Sequence, residues 1–205
     1  MALQRKRSLF LGLGLTVALA LAVPASASAV STLTGEFLTG SSASGNSGNC
    51  STSTPTFSVS GTATGPSYPG TFTEAGTFSG PVFSSTFTIT SGTTTVTGSK
   101  TAPPTQGGSG GCSDVNQSAL VNQLGIAYTA TIHTPSGNFH DEGRTNVTVV
   151  ITGSAAALTE SFTSSLTQPV RLAPTNKDEC KNGGWQGFFK NQGECVSSFQ
   201  RQPQT

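Results

Sequence analysis

The sequence predicts an all-β fold: an antiparallel, barrel-like meander, with a β-sandwich as the alternative, followed by a small disulfide-stapled, partly helical C-terminal tail. Three observations carry this expectation. Between Thr71 and Lys100 apolar residues fall at every second position, Phe83, Phe87 and Ile89 and then Val96, with Thr and Ser between them. A period of two sends alternate side chains to opposite faces of a strand. Ser91-Gly92 fits a two-residue hairpin loop, which makes Thr90 face Thr93, Ile89 face Thr94 and Phe87 face Val96, so the apolar side chains share one face. Finally, about nine such segments recur at regular spacing with short turns between them, the signature of a sandwich or up-and-down barrel. Closure into a barrel also removes the edges that Thr-rich strands would expose.

Taken in order, the chain of 205 residues opens with Arg5, Lys6 and Arg7, an uncharged run from Leu9 to Val23, Pro24, and the small residues Ala25 to Ala29. These are the parts of a cleaved secretory signal, expected over residues 1–29. The apolar run is shorter than the ~20 residues that cross a bilayer. No membrane span is therefore expected after cleavage, and the product is expected to be secreted, in an extracellular setting. With Lys+Arg at 10 and Asp+Glu at 9, losing three cations turns a net charge of +1 slightly negative. No basic patch then remains for nucleic acid.

The β domain is expected over residues 30–167. Val30 to Leu38 reads as a first strand with Leu33 and Phe37 on one face, and Thr39 to Ser53 as a Gly/Ser/Asn-rich loop. Phe57, Val59 and Ala63 alternate in the next strand, and the Thr71–Lys100 block supplies three more. Thr101 to Gly111 is a loop. Ser113 to Gly125 is open between a short helix and a strand: Asp114 and Gln117 resemble a capping box, and Ala119, Leu120 and Leu124 have helical spacing. Tyr128, Ala130 and Ile132 lead to a Thr134-Pro135-Ser136-Gly137 turn that places Phe139 opposite Ile132. Val147, Val149 and Ile151 mark a further strand, and Leu158 and Phe162 the last.

Four cysteines in an oxidising compartment favour two disulfides. Cys50–Cys112 and Cys180–Cys195 each stay within one composition block, and on the chain-entropy argument they stabilise by roughly 4 and 3 kcal/mol. A zinc site is the sharper alternative, but no C-x-x-C pair exists, and no metal or other cofactor is expected.

Residues 168–174, with prolines at both ends, read as a linker, and residues 175–205 as a Cys-stapled module. Thr175 with Asp178 and Asn191 with Glu194 have N-cap spacing, predicting helical turns over 176–182 and 192–200, with Trp185, Phe188, Phe189 and Phe199 as a small core. The text Cys180-Lys181, Gly183-Gly184-Trp185, then Phe189-Lys190-Asn191-Gln192-Gly193 and Cys195-Val196-Ser197 resembles a C-terminal segment of uncharacterised secreted bacterial proteins, chiefly actinobacterial. The resemblance covers about thirty residues and implies export without implying an activity.

Three carboxylates carry the parity of the buried face: Glu74 with Phe72 and Phe78, Asp141 with Phe139, and Glu160 between Leu158 and Phe162. Inside a barrel such groups have raised pKa values, as proton-transfer sites do; at a strand end, wet or paired with Lys100 or Arg144, they are structural. His133 and His140 share a hairpin face as diagonal neighbours but have no third ligand, which favours exposed histidines over a metal site. The Gly107-Gly108-Ser109-Gly110-Gly111 run has no α/β pattern around it to make a nucleophile elbow, and it lacks the Gly-Lys-Ser/Thr ending of a phosphate loop. Trp185 and its Phe neighbours form either the tail's core or a patch for a cell-wall or other extracellular polymer. The expected function is a non-enzymatic surface, matrix-binding or structural module. A barrel holding a small apolar ligand and an enzyme built on the inward carboxylates are the alternatives.

Overall fold

Ten strands account for most of the described residues. The computed structural model describes residues 29–42, 56–79, 82–102, 109–113, 118–152 and 155–200. The strands are β1 Phe37–Ser41, β2 Thr56–Ala63, β3 Gly70–Ser79, β4 Val82–Ser91, β5 Thr94–Ala102, β6 Ser109–Ser113, β7 Ser118–Thr134, β8 Gly137–Thr152, β9 Ala155–Ser164 and β10 Val170–Arg171. Every pairing is antiparallel. β1 pairs with both β2 and β9, and β7 with both β5 and β8, so the run β1-β2-β3-β4-β5-β7-β8-β9 closes on itself as an eight-stranded barrel. β6 continues beside β7 beyond the end of β5, and β10 adds outside β8. Residues 1–28 of the expected signal and Cys50 lie outside the described residues, as does the side chain of Cys112.

The wall alternates as a period of two requires. Phe57, Phe72, Phe83, Phe87, Ile89, Val96, Tyr128, Ile132, Leu158 and Phe162 are buried in one core. An eight-stranded barrel has an interior just wide enough for side chains, and glycine makes room for the rings. Phe57 faces Gly76, Phe72 faces Gly61, and Phe87 faces Gly98 across the strands. A Cβ on Gly98 would lie 2.4 Å from Phe87 Cζ, and one on Gly76 2.5 Å from Phe57 Cε1. Phe87 and Phe162, on diametrically opposite strands, meet at 5.2 Å, so side chains fill the axis at this level.

Several elements differ from expectation, each for a physical reason. The β4–β5 loop is Gly92-Thr93, not Ser91-Gly92: Ser91 pairs with Thr94 and Ile89 with Val96. Gly92 takes φ 57° there, and the shift brings Gly98 under the Phe87 ring while keeping every face. The first strand is shorter and carries the opposite face. Gly35, at φ 83°, turns the chain, so Leu33 and Leu38 are buried and Phe37 is 41 % exposed. Residues 118–124 are strand rather than helix, because β6 and β8 offer pairing on both sides. Phe139 and Val147 lie in one 16-residue strand, because β8 runs on unbroken opposite the register shift in β7 between Gln123 and Ile126 and keeps its pairing with β9.

The C-terminal module is joined to the barrel rather than hung from a linker. Val170 and Arg171 pair with His140 and Phe139. The Arg171 guanidinium lies 4.8 Å from the Phe139 ring centroid and donates to the carbonyls of Ser136 and Gly183. Cys180 and Cys195 form a disulfide with a Cα separation of 5.8 Å. The first predicted helix is a set of turns with a short 3-10 helix at Lys181–Gly183; the second is α1, Gln192–Gln200. Asn176, not Thr175, caps the turns by accepting from Asp178 and Glu179 N–H, while Asn191 caps α1 through Glu194 N–H. Phe188 is 43 % exposed and Trp185, Phe189 and Phe199 are half-buried, so the expected aromatic core is replaced by the buried disulfide.

Candidate functional site

The barrel interior holds a sealed acid–base cluster. On β5, Val96, Lys100 and Ala102 point inward; on β3, Phe72 and Glu74; on β9, Leu158, Glu160 and Phe162. β3 runs through Gly76 without a bulge, so the parity of Glu74 is kept. Lys100 Nζ donates to Glu74 Oε2 at 2.8 Å, and to Glu160 Oε1 and Oε2 at 2.6 and 2.5 Å. Thr145 Oγ1 donates to Glu160 Oε1 at 2.5 Å. The Lys100 ammonium also lies 4.9 Å from the Phe87 ring centroid and 5.5 Å from that of Phe162. All three charged side chains are 0 % exposed.

One cation between two carboxylates leaves an excess negative charge, which burial penalises. The Glu160 carboxyl is pushed up to about 8, by burial first, against the pull of Lys100, with Glu74 adding to the rise. Both oxygens of Glu160 accept hydrogen bonds, whereas Glu74 Oε1 has no partner. We assign one proton to the pair, which neutralises the cluster.

Asp141 serves a second network at the barrel end near the N-terminal segment. Its Oδ2 accepts from Leu33 N–H at 2.8 Å and Tyr128 O–H at 3.0 Å, and its Oδ1 from Ser164 Oγ at 2.5 Å. Burial, then the Asp141 charge, raises Tyr128 well above the usual phenol range. Glu36 holds the same end by accepting from the N–H groups of Ser67 and Tyr68. Its importance is invisible in the sequence because the turn at Gly35 reverses the parity of that stretch.

Thus the structure brings Glu74 and Glu160 together, places Asp141 apart from them, and leaves Trp185 in the C-terminal module. Lys100 was legible only as a possible partner, although its parity with Val96 marks it as inward. His133 contacts Thr97 Oγ1 and Asn138 Oδ1, and His140 contacts Glu142, so the pair serves local surface contacts. Among the described residues no group of three His, Cys, Asp or Glu has metal-binding geometry.

The outer face reverses the inner one. Following the registers around the wall, Ser60, Thr73, Thr88, Thr97, Thr131 and His140 are successive cross-strand partners. An open groove of about 590 Å³ runs over this belt, lined by Thr86, Thr88, Thr97, Ser99, Thr129 and Thr131 among others. No family model matches the chain, and no curated protein or solved structure matches it.

Proposed function

We propose that the chain is an exported, non-enzymatic surface or matrix module that binds an uncharged extracellular or cell-wall polymer through the hydroxyl belt of its barrel. The observation that carries this reading is the inversion of the wall: Lys100, Glu74, Glu160 and Asp141 are buried, and rows of Thr and Ser face water. A polyhydroxylated chain exchanges hydrogen bonds with such rows without displacing charge, and the groove over β4, β5 and β7 offers it a track. The test is retention of the purified full chain on insoluble cell-wall polysaccharide. Replacing Thr97, Thr129 and Thr131 together by Val keeps the β propensity and removes the hydroxyls. Loss of retention in that variant supports the reading; equal retention, or none by the wild type, ends it.

A second reading, acid–base catalysis, is favoured by the convergence of Glu74 and Glu160. It requires the barrel to open, because no part of either side chain reaches solvent. The reading of a small apolar ligand in the lumen is weakened by the rings that meet across the axis.

A further inference from the structure

We infer that Lys100 and Glu160 condense into an amide that staples β5 to β9 across the barrel, with Glu74 carrying the protons. Nζ of Lys100 lies 2.6 and 2.5 Å from the two carboxyl oxygens of Glu160. With C–O bonds of about 1.2 Å, a nitrogen so close to both oxygens lies within ~3 Å of the carbon between them. That is the separation of reacting atoms in a near-attack arrangement, which is reached once the Glu160 carboxyl turns its face to the nitrogen that it now meets edge-on. Glu74 Oε2 is 2.8 Å from the same nitrogen, and Glu74 Oε1 has no hydrogen-bond partner. A second carboxyl therefore stands ready to move protons. Thr145 donates to Glu160 Oε1, the oxygen on which negative charge would build. Phe87 and Phe162 flank the nitrogen and keep water out.

Burial favours the acid form of Glu160. Lys100 passes a proton to the carboxylate of the pair, giving an amine and two carboxylic acids. The amine lone pair attacks Cδ of Glu160 and the Nζ–Cδ bond forms. Glu74 gives its proton to the carbonyl oxygen and takes one from the nitrogen, leaving a carbon that bears two hydroxyls. Glu74 then protonates the hydroxyl at Oε2, the Cδ–Oε2 bond breaks with its electron pair, and water departs. The hydroxyl at Oε1 returns a proton to Glu74 and becomes the amide carbonyl, held by Thr145. The net change is one water lost from Lys100 and Glu160, with Glu74 restored and nothing oxidised or reduced. The product is neutral, so the cost of burying the ion pair disappears with it.

Mass spectrometry of the full chain tests this. After disulfide reduction, and with the N-terminus established by sequencing, the wild type is expected one water lighter than its sequence. A digest is expected to contain a branched peptide joining Lys100 to Glu160. Glu74→Ala and Lys100→Met are expected to show the full sequence mass. A folded wild type of full mass, or a missing water that maps elsewhere, overturns the inference. If Glu74→Ala does not fold, the wild-type mass and branched peptide decide alone.

Discussion

The barrel and the C-terminal module solve the same problem by different means. The barrel buries a continuous core of rings and aliphatic side chains around an internal ionic cluster. Among its described residues the module has only Cys180, Gly184 and Cys195 buried, and its aromatics lie half in water. It is too small for a core of its own, so a covalent tie, two Asn caps and the Arg171 clamp hold it. The difference teaches that the wall is specified by side-chain alternation over long pairings, whereas the module is specified by a few local contacts. Insults should therefore separate the two.

The largest effect is expected from Lys100→Met, which leaves Glu74 and Glu160 facing each other with neither the cation nor the amide formed from it. Breaking a buried pair costs about 3–5 kcal/mol. Urea unfolding followed by tyrosine fluorescence should record that loss in the barrel, while the Cys180–Cys195 tie survives. An unchanged midpoint would mean that the cluster contributes nothing. Next, cutting that tie with Cys180→Ser/Cys195→Ser should loosen the module by roughly 3 kcal/mol. Limited proteolysis should then cleave after residue 174 in the variant, with the barrel transition unmoved. If the barrel melts with the tail, the two regions are one cooperative unit.

Alkali should act on the barrel alone. Both tyrosines of the chain, Tyr68 and Tyr128, are in it. Burial, with help from Asp141, pushes Tyr68 up to about 12, and Tyr128 higher still. A phenol that folding keeps protonated favours the native state below the ordinary value near 10, and that contribution is lost as pH rises from there through the folded value. Phenolate absorbance should appear only above the normal range and coincide with loss of barrel structure; titration near 10 in a folded barrel would contradict the buried hydroxyls. The smallest effect is expected from Asn191→Ala, which removes the cap of α1 and should cost about 1 kcal/mol, confined to the module. Amide exchange over 192–200 would rise while that of β4 and β5 stayed the same.

Much of the wall was legible because alternation is local. The parity of Phe72, Leu158 and Phe139 correctly carried Glu74, Glu160 and Asp141 inward. Their grouping was not legible, because which carboxylate meets Lys100 depends on the stagger of a closed sheet, which no short window contains. The Ala119–Leu124 stretch fits helix and strand equally, and only the neighbours β6 and β8 decide it. The reversal at Gly35 hid Glu36 and misplaced Phe37, since a single left-handed residue inverts the face of all that follows it. In the tail, cap spacing found α1 but shifted the first cap by one residue, because Asn176 competes with Thr175 for the same role.

The seam between β1 and β9 has a consequence for how the molecule is made. Ring closure joins Phe37–Ser41 to Ala157–Ser161, so a chain emerging amino end first carries β1 with one flank unpaired until nearly the whole domain has been synthesised. Nothing short of that length can be a smaller barrel; it can only be an open ribbon with sticky margins. Premature termination before residue 157 should therefore yield material that clumps rather than a stable fragment.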